Sequence, residues 1–347
     1  MMREIEQQIK ETVKKLFSEN KIDVFIGYSK GTLPLISPPC FITKPGTNTT
    51  ESVVESSSVE KLCWNSFCFN NLAVYLPRFF IPQPKRKEKI KIHRIGILAK
   101  GCDGGSIIGL IKEHQLPRDN IFIIGVVCEG MVDRKKMQNS KLKIKKDIEI
   151  VETRQEDGKI IIIDENKKKR EIEKEDLLAD VCLSCQYAKP PVYDILIGSE
   201  TRNRKPESRN AIIEDFEKKS VEERWKYFQE QLSKCIRCYA CRQACPNCYC
   251  KECFAEQTKP KWTGVTNNIS EIMFYQIGRI FHQAGRCVDC GACVRACPMG
   301  IDLRVFTRKL IKDVEELFGY QAGVSLDEVP PLATFKPEDK QEFITEP

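Results

Sequence analysis

The chain has 347 residues, 41% hydrophobic and 30% charged, and its 56 lysines and arginines against 49 aspartates and glutamates leave a formal net charge of +7. That profile fits a globular protein of two or three domains, and no apolar run reaches the roughly 20 residues that would span a bilayer. Eighteen cysteines behind a charged amphipathic opening segment, with no apolar signal core, argue against a secreted disulfide scaffold and predict a cytoplasmic, anaerobic setting.

The basic excess lies in short runs, Lys85-Arg86-Lys87 and Lys167-Lys168-Lys169-Arg170, interleaved with glutamates. They read as solvated loop faces, not as a nucleic-acid surface, which would want a clustered basic face with stacking aromatics. A basic surface beside redox centres would instead guide an acidic ferredoxin or dock a partner subunit.

Residues 3–19 carry a helical pattern, 22–27 an apolar strand, and 34–58 a Pro/Ser/Thr-rich loop. A short helix is predicted over 68–80, stopped near Pro77, and a strand over 93–99. The stretch RIGILAKGCDGGSIIGLIKEHQL then runs from strand through a Gly-rich turn into a helix and returns through the apolar strand 121–127. This is a βαβ unit with parallel pairing. Such a turn can aim backbone N–H groups and a helix N-terminus at phosphate, so Lys100, Gly101, Gly104, Gly105 and Ser106 are the candidate cradle for a nucleotide pyrophosphate. The spacing is not G-x-G-x-x-G, and a tight connection needing positive φ is the competing account. Asp103 reads as a cap for the helix that follows.

Runs at 142–151 and 159–164, joined by a turn at 155–158, predict a β-hairpin. Cys182-x2-Cys185 comes next, then a Pro-Pro break and a buried-looking strand over 193–198. With Cys128 at a strand end and Cys102 on the Gly-rich turn, four cysteines are available for a [4Fe-4S] cluster in this part, zinc and free buried thiols being the alternatives. Residues 199–220 are polar and read as a linker. Ser220, with Glu223 three residues on, makes a capping box for the helix VEERWKYFQEQLSK.

That helix leads into the strongest signal of the chain: Cys235-x2-Cys238-x2-Cys241-x3-Cys245-Pro246, repeated as Cys287-x2-Cys290-x2-Cys293-x3-Cys297-Pro298. Three thiolates of each run surround one [4Fe-4S] cluster, and the fourth crosses to the cluster of the other run. Thiolates are soft ligands suited to iron–sulfur clusters, whereas structural zinc takes four ligands per site in other spacings. Between the runs lie a further trio, Cys248, Cys250 and Cys253, and a helical pattern at 269–284 with Ile272, Tyr275, Gln276 and Arg279 at turn spacing; another helix is expected over 303–318. The trio suits a cluster, zinc or free thiols, with Cys63 or Cys68 as a distant fourth ligand. Cys40 reads as a packed thiol, and His93, His114 and His282 stand near no nucleophile in sequence.

The segments LAKGCDGGSIIGLIKE, IIGVVCEGMVD and Cys182-x2-Cys185 through Asp194 and Gly198 resemble the β subunit family of coenzyme F420-dependent hydrogenase and formate dehydrogenase, over roughly residues 60–200. The resemblance implies an α/β domain with FAD near Lys100–Ser106 and a cluster on Cys182 and Cys185. The C-terminal part resembles the α-helical ferredoxin domains of succinate dehydrogenase and heterodisulfide reductase subunits, and family members that serve as adaptors beside heterodisulfide-reductase-like proteins are the closer likeness. The expected architecture is an α/β domain with a mixed or parallel sheet at 1–198, a linker at 199–220, a mainly α-helical 2[4Fe-4S] domain at 221–325 and a tail at 326–347. The expected function is an electron-transfer subunit of an anaerobic redox complex, relaying single electrons through two or more [4Fe-4S] clusters to or from a heterodisulfide-reductase-like, dehydrogenase or hydrogenase partner, or a ferredoxin. The alternative is an FAD-containing β subunit that oxidises or reduces coenzyme F420.

Overall fold

The structure, a computed structural model, describes residues 2–33, 35–44, 58–80, 93–139, 150–156, 158–199, 205–335 and 337. The basic run 85–87, much of the loop at 34–58, most of the expected strand at 142–151 and the end of the tail lie outside the described residues. The chain folds into two compact units: Met1–Gly104 with Leu116–Arg209, and Gly105–Gln115 with Asn210–Pro347.

The first unit is built on strands β1 (Val24–Tyr28), β2 (Pro39–Thr43), β3 (Ile95–Ala99), β4 (Ile121–Val126) and a short strand at Ile195–Ile197. They form one mixed sheet. β2 pairs antiparallel with β1, while β1, β3, β4 and the short strand run parallel in that order. Every residue of β1 and β3 is buried, as expected of parallel strands covered on both faces, whose sequences read as unbroken apolar runs rather than alternations. Helix α1 (Met2–Ser18) buries Ile9, Val13 and Leu16, a single stripe at helical spacing. The segment expected as a short helix at 68–80 is a 3-10 helix over Leu72–Phe79, capped by the Asn71 side chain on the Ala73 N–H.

A separate antiparallel sheet in this unit contains β5 (Ile150–Glu156), β6 (Lys159–Asp164) and β7 (Lys169–Glu173), after which the Ile195–Ile197 strand is β8. Of the run 167–170, Lys167, Lys168 and Lys169 are exposed as expected, but Lys169 and Arg170 begin the β7 strand and are not loop residues. KREIE alternates, so Ile172 packs against Ile160, Ile162 and Leu177, and Arg170 reaches the buried Asp164 carboxylate at 3.0 Å. Charge at every exposed position hid a two-residue period.

The second unit is helical, with α2 (Gly101–Lys112) entering it at Gly105 and α3 (Ala211–Glu217), α4 (Val221–Leu232), α5 (Ile269–Phe281) and α6 (Arg304–Phe318) lying wholly inside it. Helix α3 occupies part of the expected linker. It buries Ile213 completely and sets Phe216 edge-on to Tyr227 and Phe306. Ser220 and Glu223 make the reciprocal capping box at the start of α4. Its end, Leu232, joins Cys241, Ile272, Cys297, Ile301 and Leu303 in one buried cluster, so the cysteine loops are part of the core. Among the described residues, no helix is long and apolar enough to cross a membrane.

Candidate metal centres

The two C-x2-C-x2-C loops share an unusual backbone. Arg237 and Asp289, at equivalent positions of the two runs, have φ of 51° and 53°, and Tyr239 and Gly291 have φ of 58° and 67°. Left-handed residues alternating with ordinary ones curl the chain so that successive N–H groups face one concavity, the geometry that binds anions. For non-glycine residues this conformation is uncommon and must be held by its surroundings. The Arg237 guanidinium donates to the carbonyls of Gly264 (2.7 Å) and Thr266 (2.9 Å) and to Thr263 Oγ1 (3.1 Å). Asp289 accepts both Nε and Nη2 of Arg304, at 2.8 and 2.9 Å.

These loops bring the motif cysteines together in two sets. Cys235, Cys238 and Cys241 share a pocket with Cys297 of the second run. Cys287, Cys290 and Cys293 share another with Cys245 of the first. Each pocket thus draws three sulfurs from one run and the pre-proline cysteine from the other. Two further donors address sulfur: the Ile301 N–H on Cys297 Sγ (3.4 Å) and Gln276 Nε2 on Cys235 Sγ (3.5 Å). Between the sets lies Arg279, which is 3% exposed, lines the second pocket and donates through Nη2 to the Cys241 carbonyl at 3.0 Å. Desolvation is the largest influence on Arg279 and favours its neutral form, but the combined pull of Cys245, Cys293, Cys241 and Cys248 leaves its pKa above the ordinary value. Its Nε and Nη1 are buried with no hydrogen-bond partner among the described residues.

That donor set fits a four-iron cluster in each pocket. Four soft ligands rim each walled space, the Ile301 N–H points at Cys297 in the first, and in the second a buried cation, Arg279, has unsatisfied donors. Among the described residues, no three His, Cys, Asp or Glu side chains form a group that could hold a single metal ion. Burial pushes the Cys293 thiol up to about 12 and raises Cys241 as well, so a cluster bound here would have to displace these protons.

Within the Cys248, Cys250 and Cys253 trio, Cys248 lies near enough to Cys253 to feel its charge. Cys248 hydrogen-bonds with Cys245 and receives Gln283 Nε2 at 3.7 Å. Cys253 bonds to the Arg242 guanidinium, and Cys250 is exposed. Cys63 and Cys68, either of them the expected distant fourth ligand, bond to each other, and the Asn65 Nδ2 and N–H reach the two sulfurs at 3.8 and 3.4 Å respectively. Burial, aided by the Cys63 thiol, pushes the neighbouring Cys40 up to about 12. This Cys40, Cys63 and Cys68 group has no spacing motif that would have shown it in the sequence.

In the first unit the end of β4 approaches the Cys182-x2-Cys185 segment. The Cys128 N–H bonds to the Ala188 carbonyl at 2.8 Å. The Gly130 N–H points at Cys128 Sγ and the Met131 N–H at Cys182 Sγ, both at 3.4 Å. Burial is the main reason that the Cys128 thiol is pushed up to about 12, and the Cys182 and Cys185 thiols add to it. Cys102 is the second residue of α2, whose start is so close to this segment that a Cβ on Gly101 would lie 2.3 Å from the Tyr187 carbonyl.

The Gly-rich stretch is the beginning of α2 itself, not an open turn ahead of it. Gly101 and Gly104 are there because the chain at 187–191 packs against them: a Cβ on Gly104 would sit 2.4 Å from Pro190. Lys100 is turned inward and is 2% exposed, its ammonium 2.9 Å from the fully buried Asp103 carboxylate and bonded to the Tyr28 hydroxyl and the Asn70 carbonyl. Asp103 also accepts the backbone N–H groups of Lys100 and Leu72, each at 2.8 Å. Ser106 is fully buried. The side chains expected to cradle phosphate are therefore internal.

Known proteins resemble this chain in both parts. Residues 92–230 match the family model for the C terminus of the coenzyme F420 hydrogenase/dehydrogenase beta subunit, and residues 281–301 match the 4Fe-4S binding domain. The F420-dependent formate dehydrogenase subunit beta of Methanocaldococcus jannaschii is 26% identical, the match covering 69% of this chain and 76% of that protein. The F420-dependent formate dehydrogenase 1 subunit beta of Methanococcus maripaludis is 28% identical, with 71% and 76% covered. A solved structure of the F420-reducing [NiFe] hydrogenase complex from Methanosarcina barkeri aligns at 14% identity and a TM-score of 0.33, covering 53% of this chain and 62% of that one.

Proposed function

From a chain whose residues 92–230 match the coenzyme F420 hydrogenase/dehydrogenase beta subunit family and whose residues 281–301 match the 4Fe-4S binding domain, we propose an iron–sulfur electron-transfer subunit of an oxidoreductase complex. The observation that carries this reading is the pair of pockets, each assembled from three cysteines of one run and one of the other. In it, Cys235, Cys238, Cys241 and Cys297 hold one [4Fe-4S] cluster, and Cys245, Cys287, Cys290 and Cys293 hold a second. The clusters supply one-electron exchange at a potential set by charge, hydrogen bonds and exposure. The protein's part is to keep the eight thiolates fixed, to exclude water with Ile272, Ile301 and Leu303, and to leave one edge accessible at the exposed Cys238. Through that edge the chain would pass electrons to a dehydrogenase, hydrogenase or heterodisulfide-reductase-like partner, or to a ferredoxin.

Cys102, Cys128, Cys182 and Cys185 are proposed as ligands of a third cluster in the α/β unit, on the strength of the N–H groups aimed at Cys128 and Cys182. The flavin-bearing alternative draws support from the F420-dependent relatives but little from Lys100 and Ser106, which are occupied internally. Anaerobic reconstitution of the full chain, with iron, sulfide and flavin analysis, separates these readings. About eight irons per chain are expected from the paired pockets and about twelve with the third site. A chain that binds no iron and sulfide would refute the proposal, and stoichiometric releasable FAD would favour the alternative.

A further inference from the structure

Helix α5 carries more polar chemistry on its buried side than packing requires. Gln276 and Arg279 within it and Gln283 just beyond its end are exposed by only 1%, 3% and 3%. All three address the cysteine loops: Gln276 Nε2 donates to Cys235 Sγ, Arg279 Nη2 to the Cys241 carbonyl, and Gln283 contacts both Cys245 and Cys248. Arg279 differs from the other two in its charge. Among the described residues, no carboxylate forms an ion pair with it, and two of its donor nitrogens are unpartnered. A buried cation without a counter-charge is strongly unfavourable, and the negative charge nearest to hand is that of the two sulfur sets. Arg279 lines the pocket of Cys245, Cys287, Cys290 and Cys293 and is bonded to the backbone of Cys241, which belongs to the other pocket.

We propose that Arg279 is a positioning residue for electron transfer, a fixed cation between the two pockets that holds the reduction potentials of both clusters up. The inference rests on the reading that both pockets carry [4Fe-4S] clusters. An electron entering either cluster adds one negative charge to it, and a nearby guanidinium stabilises that reduced form. The same charge offsets the repulsion that an electron on one cluster exerts on an electron arriving at the other. Groups of this kind, beside a metal site but not bound to it, tune its potential without ligating it.

The test is a redox titration of the anaerobically reconstituted full-length chain, followed by electron paramagnetic resonance, for the native sequence, Arg279→Gln and Arg279→Lys. In R279Q both cluster signals are expected to need a lower poise, with the ratio of reduced to oxidised cluster falling at least tenfold at a fixed potential, which is about 59 mV for a one-electron couple. In R279K, where the charge is kept, most of that loss should be restored. Unmoved midpoints in an R279Q chain that retains its iron would overturn the role of Arg279, as would an R279K chain that falls as far as R279Q. If R279Q fails to take up about eight irons, R279K decides alone: midpoints near the native ones support the proposal, and a tenfold fall refutes it. A native chain that assembles no clusters would instead overturn the cluster reading on which the inference stands.

Discussion

Lys100 shows how far a single residue can depart from what its neighbours in sequence suggest. A lysine ahead of a glycine-rich helix start looks like a phosphate contact, but Tyr28 and Asn70, far away in the chain, converge on its ammonium, and Asp103 neutralises it. No local pattern announces such a site. Removing one partner of a buried ion pair leaves the other charge uncompensated and costs about 3–5 kcal/mol, so Asp103→Asn is expected to lower the urea midpoint of the first unit by that equivalent. Gly104→Ala should cost about 1–3 kcal/mol through overpacking, because the added methyl meets Pro190; unchanged stability in the same assay would show that the 187–191 segment can yield. A smaller, pH-dependent contribution comes from Asp23. Its carboxyl is held below the usual range chiefly by the hydrogen bond from Arg94, against a partial desolvation that works the other way. A depressed folded-state value means that the stabilisation is complete above the ordinary carboxylate range near pH 4 and is lost as pH falls through the folded-state value. The pair is partly exposed, so Asp23→Asn should cost less than about 1 kcal/mol at pH 7, and the difference from the native protein should close on acidification.

At the level of elements, legibility follows the strength of the periodic signal. β1, β3 and β4 are apolar runs that can hardly be anything else, and the Ser220/Glu223 capping box is readable because its two residues sit three apart. Ser220→Ala should remove about 1 kcal/mol, measured as a shift in thermal or urea unfolding of the helical unit; a loss well below half of that would mean that Glu223 and the α3–α4 packing hold the helix start unaided. β7 and α3 escape the sequence for a shared reason: each turns only a few residues inward, Ile172 and Arg170 in one, Ile213 and Phe216 in the other, and each is short and rich in charged residues. The left-handed residues Arg237 and Asp289 are equally invisible. Neither is a glycine or an asparagine, and their conformation is sustained by Thr263, Gly264, Thr266 and Arg304, which are distant in sequence.

Across the whole molecule, the strongest sequence pattern and the observed grouping of sulfurs can be joined in one experiment. If the pre-proline cysteines cross between runs, Cys297→Ser and Cys238→Ser should erase the same cluster signal, whereas Cys245→Ser and Cys290→Ser should erase the other, each with a loss of about four irons. Pairing of the losses by run, 245 with 238 and 297 with 290, would contradict the crossed arrangement. The division of the chain is less legible. Polarity marks 199–220 as the boundary, but composition cannot show that Gly105–Gln115, a stretch of ordinary helix, clusters with residues far downstream. Within the second unit Glu113 takes Arg286 through Nε and Nη2, at 2.8 and 2.9 Å, and accepts the Tyr249 hydroxyl at 2.6 Å. That discontinuity bears on how the protein is made. On the ribosome, residues 105–115 emerge long before Tyr249 and Arg286 exist, so this stretch must wait, its partners unsynthesised, while the whole of the first unit, which ends at Arg209, is made. The Glu113 carboxylate therefore stays without its Tyr249 and Arg286 partners until both have been synthesised.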